Sequence, residues 1–142
     1  MATTRTASAH WEGSLMEGSG EVALTSSGVG TYPVTWPARA EEPGGKTSPE
    51  ELIAAAHSTC YSMALSHALA QAGTPPTSVD TTAEVTFEPG TGITGIALSV
   101  KATVPGITAD DFEKAAQDAR TGCPVSQALK AVPITLETSF VE

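Results

Sequence analysis

The sequence contains little cysteine, few basic residues and few aromatic side chains. Its 142 residues include 2 Cys, 7 Lys and Arg, and 5% aromatic residues, while 16 Asp and Glu bring the net charge to −9. The scarcity of basic side chains argues against nucleic acid as a partner, because no basic surface is available to displace counterions. It also argues against binding to an anionic membrane surface. We interpret the acidity as serving solubility.

A long uninterrupted apolar run is also missing. The initial stretch MATTRTASAHWEG lacks the apolar segment of a signal peptide. The least charged long stretch, Leu52 to Ala72, is interrupted by two His, three Ser, a Thr, a Tyr and a Gln, and is too polar for a membrane span. We therefore expect a cytoplasmic protein, in a compartment where thiols are normally kept reduced. A cysteine pair there is more often catalytic, redox-active or metal-binding than a structural disulfide.

The pattern of apolar residues predicts strands and helices in the order β-β-β, α, β-β, α-α, β, within a single domain over residues 1–142. Ser48 is a suitable cap for the central helix, which we expect to end at about Ala72. Strict alternation of apolar and polar residues over 79–88 and 96–104 indicates two half-buried strands. The chain is therefore expected to be α+β.

Proline and capping residues refine this prediction at three places. The run GTYPVTWPARA, residues 30–40, contains two prolines and is expected to be a strand at a sheet edge. Thr108 is the expected cap of the next helix. Cys123 is the expected cap of a short helix that continues with Pro124. A cysteine at a helix start lies near free backbone N–H groups and the positive end of the helix dipole, which both stabilise a thiolate.

The central helix carries no Asp, Glu, Lys or Arg between Ile53 and Gln71. A helix at a protein surface usually has a charged face, whereas a helix without one is covered on all sides. One sheet covers only one side of a helix, so we expect a second copy of the chain to cover the other. The sequence therefore predicts a homodimer built around this helix.

The residues alone leave several interpretations of Cys60 and Cys123 open. Free cysteines are often inert, small buried hydrophobes. A zinc site could combine both cysteines with His57 and one carboxylate, although neither a C-x-x-C nor an H-E-x-x-H pattern is present. A reactive thiol pair is the remaining possibility, and the expected position of Cys123 at a helix start favours it.

A reactive thiolate in apolar surroundings needs a nearby cation, because burial alone raises the pKa of a thiol. Arg39 and Lys46 both precede the helix that carries Cys60, and Arg is favoured because it can bind a carboxylate in a bidentate manner. Glu50, at the start of the same helix, can hold Arg39 and direct it at Cys60. In the alternative interpretation Arg39 is a surface residue and Glu50 only complements the helix dipole.

Four stretches of the sequence together resemble the osmotically inducible protein C (OsmC) family of peroxidases, which is related to the organic hydroperoxide resistance (Ohr) proteins: AHWEG, TSPEELIAAAHSTCYSMALS, VPGI and GCPVSQALK. The resemblance covers nearly the whole chain, and the combination of the first cysteine motif with GCPVS is highly specific. It implies an α+β fold in which antiparallel sheets wrap around a long central helix, in a homodimer of two intertwined subunits.

The resemblance also implies a function and a set of site residues. Cys60 would be the peroxidatic residue, Cys123 the resolving residue, Glu50 the carboxylate of the family's PEE motif and Arg39 its partner. The expected activity is thiol-dependent reduction of organic hydroperoxides, and more slowly of hydrogen peroxide, in defence against oxidative or osmotic stress. An external dithiol of the lipoyl type would be the reductant, with neither a metal nor an organic cofactor. The alternative function is a non-catalytic dimeric stress protein that binds apolar ligands and uses the cysteines as a redox switch.

Overall fold

Six strands and four helices make up the chain, which a computed structural model describes over all 142 residues, Met1–Glu142. The chain folds into two units, residues 1–52 and residues 53–142. The single domain over residues 1–142 therefore stays a prediction. None of the helices combines the length and the apolar character that a membrane span needs.

A three-stranded antiparallel sheet forms most of the first unit. Its strands lie in the order of the sequence: β1 (Ser8–Glu12), β2 (Ser19–Ala23) and β3 (Thr31–Val34). Pro33 lies in β3, which pairs with β2 on one side and makes only an isolated bridge from Val34 to Thr47 on the other. The proline is thus at a sheet edge, where its missing N–H removes no ladder hydrogen bond.

The segment after β3 differs from the predicted strand. The strand ends at Val34, and a short helix α1 (Trp36–Ala40) follows. The Thr35 side chain caps this helix by accepting a hydrogen bond from the Ala38 N–H over 3.2 Å. Pro37 lies in the first turn, where a helix needs no N–H from it. Proline disfavours the interior of a strand, and here Pro37 helps to begin a helix instead. Arg39 lies in the last turn of α1.

The long helix α2 (Pro49–Gln71) matches the prediction in both position and length. Ser48 Oγ accepts a hydrogen bond from the Glu51 N–H over 3.1 Å, so the predicted cap is confirmed. After the helix, Gly73 has φ +86°, a conformation that side chains other than glycine's disfavour. Glu50 and Glu51 occupy the first turn, where they complement the positive end of the helix dipole.

A second three-stranded sheet belongs to residues 53–142. It contains β4 (Ser78–Glu88), β5 (Gly92–Thr103) and β6 (Ile134–Val141), with β5 in the centre. The predicted alternation is confirmed, because even-numbered residues from Ile96 to Ala102 are buried and their neighbours are exposed. One pairing differs from the expected antiparallel arrangement, since β6 runs parallel to β5. A parallel pair requires a long crossover connection.

Two helices form this crossover, α3 (Ala109–Gly122) and the short α4 (Pro124–Ala128). Thr108 Oγ1 accepts a hydrogen bond from the Asp111 N–H over 3.1 Å, which confirms the predicted cap of α3. The core of this unit joins α2, the inner face of β5, and α3, and its fully buried members are Tyr61, Leu65, Leu69, Leu98, Val104, Phe112, Ala116 and Cys123. Two three-stranded sheets and four helices confirm the α+β class.

Candidate active site

The two cysteines meet within the second unit. Cys60 lies on α2 and is half-buried, whereas Cys123 lies between α3 and α4 and is 0% exposed. Both are free thiols, and the two side chains are in hydrogen-bonding contact. A contact between residues so distant in the chain depends on the packing of α2 against the crossover helices. This arrangement places the two thiols of the chain beside each other.

The first turn of α4 binds both sulfur atoms. Its residue Val125 makes a backbone hydrogen bond to Cys60. The next N–H, that of Ser126, donates to Cys123 Sγ over 3.3 Å, so Cys123 is the N-cap of α4 as predicted. Backbone N–H groups in the first turn of a helix have no partner within the helix. Here they hold two thiols side by side, in a position that also favours negative charge on sulfur.

Burial is the strongest influence on the Cys60 thiol and raises its pKa. The hydrogen bond from Val125 acts in the opposite direction, and the neighbouring Cys123 raises the pKa further. No cation is among the groups of this chain that shift the pKa of Cys60. The thiolate is the nucleophilic form of cysteine, so efficient chemistry at neutral pH requires a positive charge beside this sulfur.

Arg39 and Glu50 form an ion pair within the first unit. Arg39 Nε lies 3.0 Å from Glu50 Oε1 and 3.2 Å from Oε2, and Nη2 lies 2.8 Å from Oε2. The Glu50 side chain is only 9% exposed, against 30% for Arg39. A buried carboxylate is stable only when it is paired and hydrogen-bonded. Glu50 therefore fixes the orientation of the guanidinium.

A mostly apolar cavity of about 420 Å³ adjoins this ion pair in the first unit. Arg39 is the only charged side chain in its wall, and the apolar part of the wall includes Trp11, Leu15, Val22, Trp36 and Leu52. Such a cavity suits a ligand that has an apolar body and one polar group.

A buried polar contact links His57 to Ser126. His57 Nε2 and Ser126 Oγ are 2.7 Å apart, and both residues are almost fully buried. The sequence pattern left His57 open as one ligand of a zinc site, and it gave no role to Ser126. No three His, Cys, Asp or Glu side chains in the chain are grouped closely enough to hold a metal ion. The position of Ser126, three residues after the N-cap Cys123, is the one signal that pointed to its contact with a sulfur.

Comparisons with known proteins agree with this architecture. Residues 42–137 match the family model described as OsmC-like protein. The chain is 49% identical to Peroxiredoxin OsmC of Escherichia coli strain K12 over 132 residues, which cover 91% of each protein. It is similar to the crystal structure of an organic hydroperoxide resistance protein from Elizabethkingia anophelis, with 26% identity and a TM-score of 0.67 over 100% of this chain and 99% of that one.

The fold has a second solved counterpart at lower sequence identity. An OsmC-like protein from Mycoplasma pneumoniae aligns over 100% of both chains with a TM-score of 0.75 and 12% identity, which is a likeness of fold alone. The family match extends over most of the chain, and the E. coli relative matches along nearly its whole length. The resemblance found in the sequence is thereby confirmed, and the chain belongs to the OsmC-like protein family.

Proposed function

We propose that this protein is a thiol peroxidase that reduces organic hydroperoxides to alcohols, as part of a defence against peroxide stress. The 49% identity to a peroxiredoxin supports the enzyme class. The contact between Cys60 and Cys123 at the start of α4 is the observation that carries the proposal. It supplies the two thiols that a disulfide-forming peroxidase needs, one more accessible than the other.

The proposed reaction has two steps on the enzyme. The Cys60 thiolate attacks one peroxide oxygen, the O–O bond breaks, and the alkoxide leaves and takes a proton to become the alcohol. Cys60 is now a sulfenic acid. The Cys123 sulfur then forms a bond to the Cys60 sulfur and water leaves, which gives an intramolecular disulfide. An external dithiol reduces this disulfide by exchange. A dithiol of the lipoyl type is the reductant that the family resemblance implies.

We propose that Arg39, held in place by Glu50, supplies the positive charge that the Cys60 thiolate requires. Burial raises the pKa of Cys60, and a guanidinium near the sulfur would oppose this effect. Because Glu50 binds both Nε and Nη2, the guanidinium is held in one orientation. The same group could then bind the peroxide or the developing alkoxide.

A homodimer is proposed as the functional assembly. The exposed face of α2 in the second unit has no charged residue, and it consists of Ala55, Ala56, Thr59, Met63, His67 and Ala70. Met63 is 69% exposed, which is unusual for a large apolar side chain in the middle of a long helix. A second copy that packs its own α2 on this face would cover it symmetrically. We further propose a cytoplasmic location, where dithiol reductants are available.

A first prediction concerns the division of labour between the cysteines. One equivalent of cumene hydroperoxide should convert the wild-type protein into a form with one intrachain disulfide. The Cys123→Ser variant should instead convert Cys60 to sulfinic and sulfonic acids as peroxide is added, because the sulfenic acid has no thiol partner. Serine is also a good N-cap, so the variant should fold normally. Intact-protein mass spectrometry distinguishes these products, and an unmodified Cys60 would count against its assignment.

A second prediction concerns activation of Cys60. Arg39→Ala and Glu50→Ala should each slow the oxidation of Cys60, because one loses the cation and the other its orientation. Loss of a charged contact worth about 2–3 kcal/mol corresponds to a rate that is lower by roughly thirtyfold to 150-fold. Stopped-flow measurement of the second-order rate constant tests this. Lys46→Ala, which changes an exposed cation in the adjacent loop, is the matched control. Wild-type rates in Arg39→Ala together with slow oxidation in Lys46→Ala would transfer the role to Lys46.

A third prediction tests the activity and its substrate class. Cumene hydroperoxide and tert-butyl hydroperoxide should react faster than hydrogen peroxide, because an alkyl group can pack against the apolar residues that surround Cys60 on α2, among them Ile53 and Ala64. Each buried methylene contributes about 0.8 kcal/mol, so a tail of three or four carbons corresponds to roughly fiftyfold to two-hundredfold in rate if the contact persists in the transition state. The measurement compares second-order rate constants at one pH with excess dithiol.

The same assay separates the enzyme from a redox switch. A peroxidase consumes many equivalents of hydroperoxide for each protein molecule while dithiol lasts, whereas a non-catalytic protein that binds apolar ligands consumes about one. Consumption of a single equivalent would refute the proposed activity. Equal constants for the three peroxides would refute only the role of the apolar surroundings of Cys60.

A fourth prediction concerns the dimer. Met63→Glu should convert the dimer into monomers, because it places a carboxylate in an uncharged face that two copies would bury. Sedimentation velocity at micromolar concentration measures the change. Thr82→Glu is the control, since Thr82 lies on the exposed face of β4 between Asp80 and Glu84. A stable monomer in the wild type would show that the face has another role.

A further inference from the structure

His57 is a buried titratable side chain that the proposed reaction does not yet use. It is 0% exposed and lies three residues before Cys60 on α2. Its Nε2 is 2.7 Å from Ser126 Oγ, while its Nδ1 is the one buried side-chain nitrogen or oxygen without a hydrogen-bond partner. Burial lowers the pKa of His57, so the ring is neutral near pH 7. A neutral imidazole whose Nε2 lacks a hydrogen can accept a proton there.

Ser126 connects this histidine to the Cys123 sulfur. The Cys123 thiol donates to Ser126 Oγ over 3.3 Å, and the Ser126 N–H donates back to Cys123 Sγ over the same distance. Ser126 is itself only 2% exposed. With its oxygen accepting from the thiol, the Ser126 hydroxyl hydrogen can donate to His57 Nε2. Cys123, Ser126 and His57 are therefore joined by a continuous series of hydrogen bonds inside the protein.

We propose that Ser126 and His57 are positioning residues that act as a proton relay for Cys123, the thiol of the resolving step. The relay takes the Cys123 proton as this sulfur attacks the Cys60 sulfenic acid, and returns it when Cys123 is released during reduction. This inference rests on the proposed peroxidase function. It gives a role to Ser126 and His57, which take no part in the reaction steps proposed for the two cysteines and Arg39.

The burial of Cys123 makes such a relay necessary. Water has no access to a thiol that is 0% exposed, so its proton has to leave through protein groups. The external dithiol cannot reach the buried Cys123 sulfur either, so it attacks the half-buried Cys60 sulfur. Cys123 is then the leaving group of the exchange. Cys123 therefore needs a buried group that returns its proton when it leaves the disulfide.

The atoms balance in both directions. In the resolving step the new S–S bond forms as the S–O bond of Cys60 breaks; the Cys60 sulfur is reduced and the Cys123 sulfur is oxidised. The Cys123 proton moves to Ser126 Oγ while the Ser126 hydroxyl proton moves to His57 Nε2. The departing hydroxide takes up the proton that His57 received and leaves as water, so the proton lost by Cys123 is accounted for. In reduction, the dithiol sulfur bonds to Cys60 and Cys123 regains a proton through Ser126.

Other ionisable groups near this cluster do not offer a competing route. Tyr61 on α2 interacts electrostatically with Cys123. Burial raises the pKa of Tyr61, and its hydroxyl already donates a hydrogen bond to the Ala116 carbonyl over 2.9 Å. On α3, Glu113 has a lowered pKa because Thr138 and Gln117 donate hydrogen bonds to it. Arg120 donates to Ile134 O over 3.0 Å. The short helix α4 carries no ionisable side chain.

The test is a single-turnover experiment on the full-length protein. Reduced protein is mixed with one equivalent of cumene hydroperoxide and quenched at intervals, and mass spectrometry follows the sulfenic acid, trapped by a dimedone reagent, and the disulfide. The variants are Ser126→Ala, which deletes one oxygen atom, and His57→Gln, which keeps a hydrogen-bonding group but cannot be protonated. Ser62→Ala is the matched control, because the Ser62 hydroxyl on the same helix bonds to Ser58 O and Thr81 Oγ1 instead.

The expected result is accumulation of the sulfenic acid in both relay variants, with disulfide formation slowed at least about tenfold, in line with the loss of general acid–base assistance. The pH profile is the second readout. From pH 6 to 8 the wild-type step should change less than about threefold, because the proton passes to neutral His57. In the variants it should rise by about tenfold per pH unit, because the proton then has to be lost before the sulfur attacks, and its loss becomes more favourable as the pH rises.

Wild-type disulfide formation in Ser126→Ala, with an unchanged pH profile, would overturn the relay, as would equal slowing in Ser62→Ala. Ser126→Ala carries the test alone if His57→Gln does not fold. Absence of any sulfenic acid or disulfide in the wild-type protein would overturn the peroxidase proposal itself. The two failures are therefore distinguishable.

Discussion

The short helix α4 is the constraint on which the chemistry of the second unit depends. Two successive backbone N–H groups at its start, those of Val125 and Ser126, bind the sulfurs of Cys60 and Cys123. Pro124 begins this helix without leaving an N–H unsatisfied. The crossover between β5 and β6 brings α4 beside α2. Phe112 and Tyr61 are among the large buried side chains of the core that holds these helices in place. A change that displaced α4 would separate the sulfurs and remove their hydrogen bonds together.

Burial imposes opposing demands on this site. It protects the thiols from water and places them in contact, but it also raises the pKa of Cys60 and so lowers the thiolate fraction. The first unit contains the opposite kind of group, a cation held in place by a buried carboxylate. Arg39 binds Glu50 through two nitrogens, so its position is set by geometry rather than by side-chain entropy. The Cys60 thiol would gain reactivity from a nearby positive charge, and Arg39 is a positive charge whose orientation is already fixed. The two groups are therefore chemically complementary.

Local signals explain which elements could be predicted. The caps at Ser48 and Thr108, and the alternation along β4 and β5, depend on neighbouring residues, and the structure agrees with them. The helix α1 was missed because proline limits a strand and also begins a helix, and only Thr35 as cap decides between them. The parallel pairing of β6 and the link from His57 to Ser126 depend on tertiary packing. No periodicity in the sequence contains that information.

The unequal exposure of the two sulfurs gives the proposed cycle its direction. Thiol–disulfide exchange takes place at the sulfur that the attacking thiolate can reach, and the other sulfur leaves. Cys60 is half-buried and Cys123 is completely buried, so in the proposed cycle peroxide and reductant both react at Cys60. Cys123 is then never exposed to a second peroxide, and over-oxidation of it would require the core to open. A sulfur protected in this way depends on the groups that are buried with it, and Ser126 is the one that touches it from both its N–H and its hydroxyl.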